Sequence, residues 1–184
     1  DRVASALGAN LVFTRLAGHG RPGEALAQAS ATEWMDDTAE ALAAARSVGE
    51  RVVVIATSTG ATLAVAAAAD SQMSQGVAAL VLVSPNFEIN NPLAPLLTWP
   101  GARYWLPPLA GRERVIEPRG AAQETYWTTR YPSEAVFPMA ALVRVVSGLD
   151  VGRIGLPALF WYSREDQVVS AELTDLITGA WGGP

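Results

Sequence analysis

The chain has 184 residues, half of them hydrophobic and only 17% charged, with 13 basic against 18 acidic side chains and a net charge of −5. Such a composition can bury a sizeable core and excludes a disordered chain. All the basic residues are Arg, there is no Cys, and His19 is the single histidine; a Walker A or Schiff-base lysine, a disulfide framework, a thiol nucleophile and a multi-histidine metal centre are therefore excluded.

The acidic balance with scattered Arg argues against nucleic acid as a partner. No apolar run reaches the roughly 18 residues of a membrane span, and no signal peptide is visible. The lack of cysteine fits a reducing, cytoplasmic compartment. The length suits one domain, with room for an inserted segment.

Taken in chain order, Leu11-Val-Phe-Thr-Arg-Leu16 reads as a short strand, ended by Gly18-His-Gly-Arg-Pro-Gly23. Ser30-Ala-Thr-Glu33 is a capping box, with Ser at the N-cap and Glu at N3. The helix it opens carries Trp34, Met35, Thr38, Ala41, Leu42 and Ala45 on one face and stops at Gly49. Asp36, Asp37 and Glu40 fall on its polar side near the start, where carboxylates suit the helix dipole, and read as surface residues.

Arg51-Val-Val-Val-Ile-Ala56 is the next strand, followed directly by Thr57-Ser-Thr-Gly60 and an Ala-rich helix over 61–69. Ala78-Ala-Leu-Val-Leu-Val83 is a third strand, Ala158-Leu-Phe-Trp-Tyr162 a fourth, and 171–177 a closing helix. These strands are continuous apolar runs without alternation, as expected when helices cover both faces of a parallel sheet. Strand and helix alternate, so the predicted fold is α/β, a mostly parallel, doubly wound sheet flanked by helices.

Between Phe87 and Arg153 the texture changes. Nine of the 12 prolines lie between Pro85 and Pro138, with Trp99, Trp105 and Trp127 among them, and the only plainly helical stretch runs from about Phe137 to Val146. Proline-rich but aromatic sequence of this kind predicts an irregular lid at the sheet end where ligands bind in such folds, or an ordinary packed insertion. The predicted division is thus a core of 1–86 and 154–184 with a lid insertion at 87–153.

Two motifs compete for the chemistry. Gly18-x-Gly20-x-x-Gly23 after a strand matches the dinucleotide pattern, but that chemistry needs a helix opening at the glycines and an acid ending the following strand. The next capped helix starts at Ser30 and the strand ends Ile55-Ala56-Thr57, so no organic cofactor is predicted. The stronger motif is Ala56-Thr-Ser-Thr-Gly60 at a strand-to-helix junction. A serine in such a turn projects its hydroxyl above the sheet edge, with Ala56 and Gly60 small enough for strand and helix to pass close, and the Thr59 N–H would face a developing oxyanion. A purely structural turn serine is the alternative.

Directly after the fourth strand comes Ser163-Arg-Glu-Asp-Gln-Val-Val169. Asp166 there is either the carboxylate of a serine-hydrolase triad or a turn or N-cap residue for the helix from Ala171; Glu165 and Asp150 are weaker candidates for the acid.

Together these residues resemble the α/β-hydrolase superfamily, and most nearly the capped bacterial serine hydrolases grouped with carboxylesterases and monoacylglycerol lipases. The resemblance covers 8–88 and 154–180 and is carried by Thr14-Arg-Leu-Ala-Gly-His-Gly20, Ala56-Thr-Ser-Thr-Gly60, Leu82-Val-Ser-Pro-Asn-Phe87 and Tyr162-Ser-Arg-Glu-Asp-Gln-Val-Val169. It implies Ser58 as nucleophile, Thr59 as an oxyanion donor and Asp166 as the acid that orients the base.

The family's base is a histidine after one further strand, and no histidine follows Asp166. The family also has strands before Leu11, one of them lying between the first two strands seen here. The resemblance therefore implies a portion of a longer protein, with the base beyond Pro184. His19, in the Gly-His-Gly loop, is assigned to loop structure or pocket lining, with a role as the base itself as the remaining alternative because it is the only imidazole. The expected function is hydrolysis of a small or apolar carboxylic ester without metal or cofactor; a haloalkane dehalogenase is disfavoured because its nucleophile would be Asp at position 58. The rival is a non-catalytic module of the same fold that binds a small ligand or a partner protein. Oligomeric state is not legible.

Overall fold

The computed structural model describes residues 2–88, 91–118 and 120–184. In chain order the elements are α1 (Arg2–Leu7), α2 (Gly23–Gln28), α3 (Ala31–Val48), β1 (Val52–Thr57), α4 (Thr59–Ala69), β2 (Val77–Val83), α5 (Ala102–Ala110), β3 (Glu113–Val115), α6 (Ala121–Tyr126), β4 (Arg130–Pro132), α7 (Val136–Ser147), β5 (Ala158–Trp161) and α8 (Ala171–Ala180). Short 3-10 turns stand before α5, before α7 and before β5.

Strands β1, β2 and β5 form a parallel sheet in that order. Its register places Thr57, Val83 and Trp161 in one row, so the three loops that follow leave from the same edge. Parallel neighbours need a crossover; α4 supplies the one between β1 and β2, and the whole segment from α5 to α7 lies between β2 and β5.

The capping box opens α3 as its sequence dictates: the Glu33 N–H donates to Ser30 Oγ at 3.2 Å and the Ser30 N–H to Glu33 Oε2 at 2.9 Å. Trp34 and Leu42 are the buried residues of its apolar face. Helix α4 is buried along most of its length, and Leu63 and Val65 pack with Leu80, Leu82, Leu142, Val146 and Ile177. These contacts put α4, α7 and α8 on one face of the sheet, over Val54, Ala56, Ala158 and Phe160. The opposite face carries Val53, Ile55, Leu159 and Trp161, each at least half exposed.

The run Leu11–Leu16 is not a strand. It is irregular, and Phe13 is 82% exposed. A strand exists only through a partner's hydrogen bonds, and among the described residues β1 pairs with β2 alone. The other unanticipated elements lie mostly in the insertion. Helix α5 tolerates Pro107 and Pro108 in its last turns, and β3 pairs antiparallel with β4. The predicted helix near 137–146 is α7, with Ala140, Leu142 and Val146 buried.

The insertion is fastened to the core at two places. Helix α7 packs on α4 and α3. Strand β4 packs on α2 so closely that a Cβ on Gly23 would lie 2.2 Å from the Arg130 carbonyl oxygen and 2.7 Å from Tyr131 Cα. Thr128 Oγ1 also donates to the Arg21 carbonyl at 3.3 Å.

Candidate active site

Ser58 is the residue between β1 and α4, and its backbone is held at φ 52°, ψ −121°. A side chain bearing a Cβ adopts such a conformation only where its surroundings impose it. Those surroundings are hydrogen bonds. The Ser58 N–H donates to the Val83 carbonyl at 2.9 Å, and its own carbonyl accepts from the N–H groups of Ala61 at 2.9 Å, Thr62 at 3.2 Å and Asn86 at 3.3 Å. The turn is thus pinned to β2 on one side and its continuation on the other. The hydroxyl caps no helix N–H, and the residue is part-exposed.

Thr59 opens α4, so its N–H is among the helix donors that have no intrahelical acceptor. It stands at the positive end of an 11-residue helix dipole, beside the Ser58 hydroxyl. The space argument for Gly60 does not hold among the described residues: a Cβ there would meet nothing within 4 Å.

Asp166 lies five residues beyond β5, in the loop leaving the same sheet edge as Ser58. With β2 between them, β1 and β5 stand roughly 10 Å apart. The Asp166 Oδ1 accepts from the N–H groups of Val168 at 2.8 Å and Val169 at 3.2 Å, which fixes the carboxylate and leaves Oδ2 for another donor. It does not cap α8; Ser170 does, accepting from the Leu173 N–H at 3.2 Å.

His19 sits in a turn whose shape is set from α3. Trp34 Nε1 donates to the Ala17 carbonyl at 2.9 Å, Asp37 Oδ2 accepts from the Ala17 N–H at 2.6 Å, and the imidazole meets the Trp34 ring edge-on at 5.5 Å. Asp37 is therefore a loop anchor, not the bare surface acid expected, while Asp36 and Glu40 are exposed. No contact brings His19 to Ser58. The glycine pattern around it fails as a dinucleotide site for a revised reason: a helix does open at Gly23, but α2 has six residues, follows Pro22 and has no strand before it. Among the described residues no cluster of His, Asp or Glu could hold a metal, and no helix is long and apolar enough to cross a membrane.

Two site-edge residues were quoted in the sequence reading without a role. Ser84, directly after β2, also has a positive φ of 41°, and its N–H donates to the Trp161 carbonyl at 2.8 Å. Asn86 is 4% exposed and its Oδ1 has no partner. Both lie in Leu82-Val-Ser-Pro-Asn-Phe87, one of the segments that carry the resemblance, but nothing in that run of residue types marks what either does.

A strained serine at a strand-to-helix turn, on the carboxyl edge of a parallel sheet whose next loop but one carries a fixed carboxylate, defines an α/β-hydrolase. The family described as serine aminopeptidase, S33, matches residues 5–181, and the chain belongs to it. Among solved structures, it is similar to one from work on LipS and LipT, two metagenome-derived lipolytic enzymes, with a TM-score of 0.69 and 22% identity over 92% of this chain and 66% of that one. It is also similar to the monoacylglycerol lipase of Paleococcus ferrophilus, with a TM-score of 0.63 and 15% identity over 91% and 67%. The chain thus spans about two-thirds of the length of these structures. No curated protein sequence matches it.

Proposed function

We propose that the chain carries the nucleophile and the acid of a serine hydrolase that cleaves carboxylic esters. The observation that carries this reading is Ser58, held at positive φ with a free hydroxyl at the N-terminus of α4. In this reading Ser58 Oγ attacks the acyl carbon while a histidine outside these 184 residues takes its proton, and the Thr59 N–H stabilises the oxyanion. Collapse of the tetrahedral intermediate expels the alcohol, which receives that proton. Water then attacks the acyl-enzyme through the same base and releases the acid. Asp166 holds the imidazole in the tautomer that accepts from Ser58 and stabilises the imidazolium.

The lipolytic neighbours support esters, and the exposed apolar and aromatic side chains of the insertion, including Trp99, Tyr104 and Trp127, favour an apolar acyl group. The family description names a peptidase, and the same acyl-enzyme chemistry would serve an amide.

The test is intact mass after treating the full-length gene product with a fluorophosphonate. One adduct is expected, absent in Ser58→Ala, and Asp166→Asn should slow ester turnover by about 10⁴-fold. A folded full-length protein that takes up no adduct would overturn the enzyme reading and leave a ligand- or partner-binding module.

A further inference from the structure

Beyond β2 the chain passes under three elements in succession, and three consecutive carbonyls each take a donor from a different one. The Asn86 carbonyl accepts from Thr62 Oγ1 of α4 at 2.6 Å. The Phe87 carbonyl accepts from Ser147 Oγ of α7 at 3.2 Å. The Glu88 carbonyl accepts from the N–H of Ser170, the N-cap of α8, at 3.0 Å. The nucleophile helix, the insertion and the end of the Asp166 loop therefore meet on one strap of three residues. Phe87 between them is fully buried, and the Asn86 N–H returns to the Ser58 carbonyl at 3.3 Å.

From this arrangement we infer that Thr62 is a positioning residue, whose buried hydroxyl locks the Asn86–Glu88 strap to the nucleophile turn so that the strap sets the spacing between Ser58 and Asp166. Resting on the serine-hydrolase reading for its consequence, it adds a residue that touches neither substrate nor base. The side chain of Thr62 is 0% exposed, and its second acceptor, the Ser58 carbonyl at 3.4 Å, is the carbonyl of the strained residue itself. Removing the hydroxyl while keeping the shape leaves the buried Asn86 carbonyl without its donor. The strap then loses its one side-chain bond to α4 and is held at the nucleophile turn only by the longer Asn86 N–H bond to Ser58, while its bonds to α7 and α8 remain, so the two halves of the site can part without the core unfolding.

Two backbone amides report on the two halves: Asn86, bonded to Ser58, and Ser170, bonded to Glu88. Native-state hydrogen exchange on Thr62→Val should quicken both by about tenfold or more relative to Val65 in the buried middle of α4, and Thr62→Ser should restore both. Exchange that rises at Asn86 alone, or equally at Val65, overturns the coupling. Fluorophosphonate uptake is read on the same three proteins in full-length form. Wild-type uptake with a slower saturating rate in Thr62→Val and an unchanged half-saturating concentration agrees with a positioning role. No uptake by the wild type counts against the hydrolase reading alone, because the exchange result does not depend on it.

Discussion

A serine at φ 52° costs the fold on the order of 1–3 kcal/mol, and the hydrogen bonds that impose it come from residues 83 and 86, far along the chain. The turn that holds Ser58 was legible because its neighbours in sequence, an apolar strand and an Ala-rich helix, mark it. Asp166 was legible because it follows the next apolar strand but one. Thr62, Ser84 and Asn86 were not, because what they do passes through backbone carbonyls and amides that every residue type possesses. Asp70 shows the same kind of local device where a pH measurement can reach it. Its Oδ1 accepts from the N–H groups of Gln72 and Met73, both at 2.8 Å, and closes α4. The Met73 bond and then the Gln72 bond hold its pKa below the ordinary aspartate value of 3.8. Because the folded pKa is depressed, the stabilisation is present above pH 3.8 and fades as pH falls through the folded value. Melting curves of wild type and Asp70→Ala should therefore differ at neutral pH and converge in acid; a gap that widens below pH 3.8 would sink this account.

Elements that declare their own ends were readable. The capping box fixed the start of α3 to the residue, and Gly49 its end; β1, α4, β2, β5 and α8 all lie where apolar runs and an Ala-rich stretch placed them. Since the cap is made by one side chain, Ser30→Ala should lower stability by about 1 kcal/mol, a fall in Tm of about 2–4 °C for a chain this long. Calorimetry that finds no fall would show α3 held by Trp34 and Leu42 alone. Where an element depends on a distant partner, the sequence misleads. Leu11–Leu16 has the composition of a strand and, among the described residues, no strand beside it, and α5 runs through two prolines with Ala102 and Pro107 buried. The change of texture after Phe87 was visible; the two-stranded sheet within that segment and its fastening to Gly23 were not.

For the whole molecule, continuous apolar strands state a demand for cover on both faces, and the structure meets it on one. Ile55 is 55%, Leu159 57% and Trp161 69% exposed; Ile55 and Leu159 lie in one row with Val81 between them, and Trp161 lies two residues further along β5 on the same face. A contiguous apolar sheet face of this kind binds anilinonaphthalene sulfonate. The 184-residue chain should do so in its folded state, and Trp161→Thr should reduce that fluorescence with little change in Tm; an unchanged signal would place the dye elsewhere. The position of the insertion also sets an order of events. Strand β2 finds β1 across a single helix, but β5, its other neighbour, is separated from it by residues 84–157. Closing a flexible loop of that length costs on the order of 4 kcal/mol of chain entropy, so the third strand should be the last to arrive and the first to leave. By the same argument Ser58 should be shaped early, within the contiguous β1–α4–β2 unit, and Asp166 should come into place only after the insertion has folded, which would make the two halves of the candidate site products of different moments in the life of the chain.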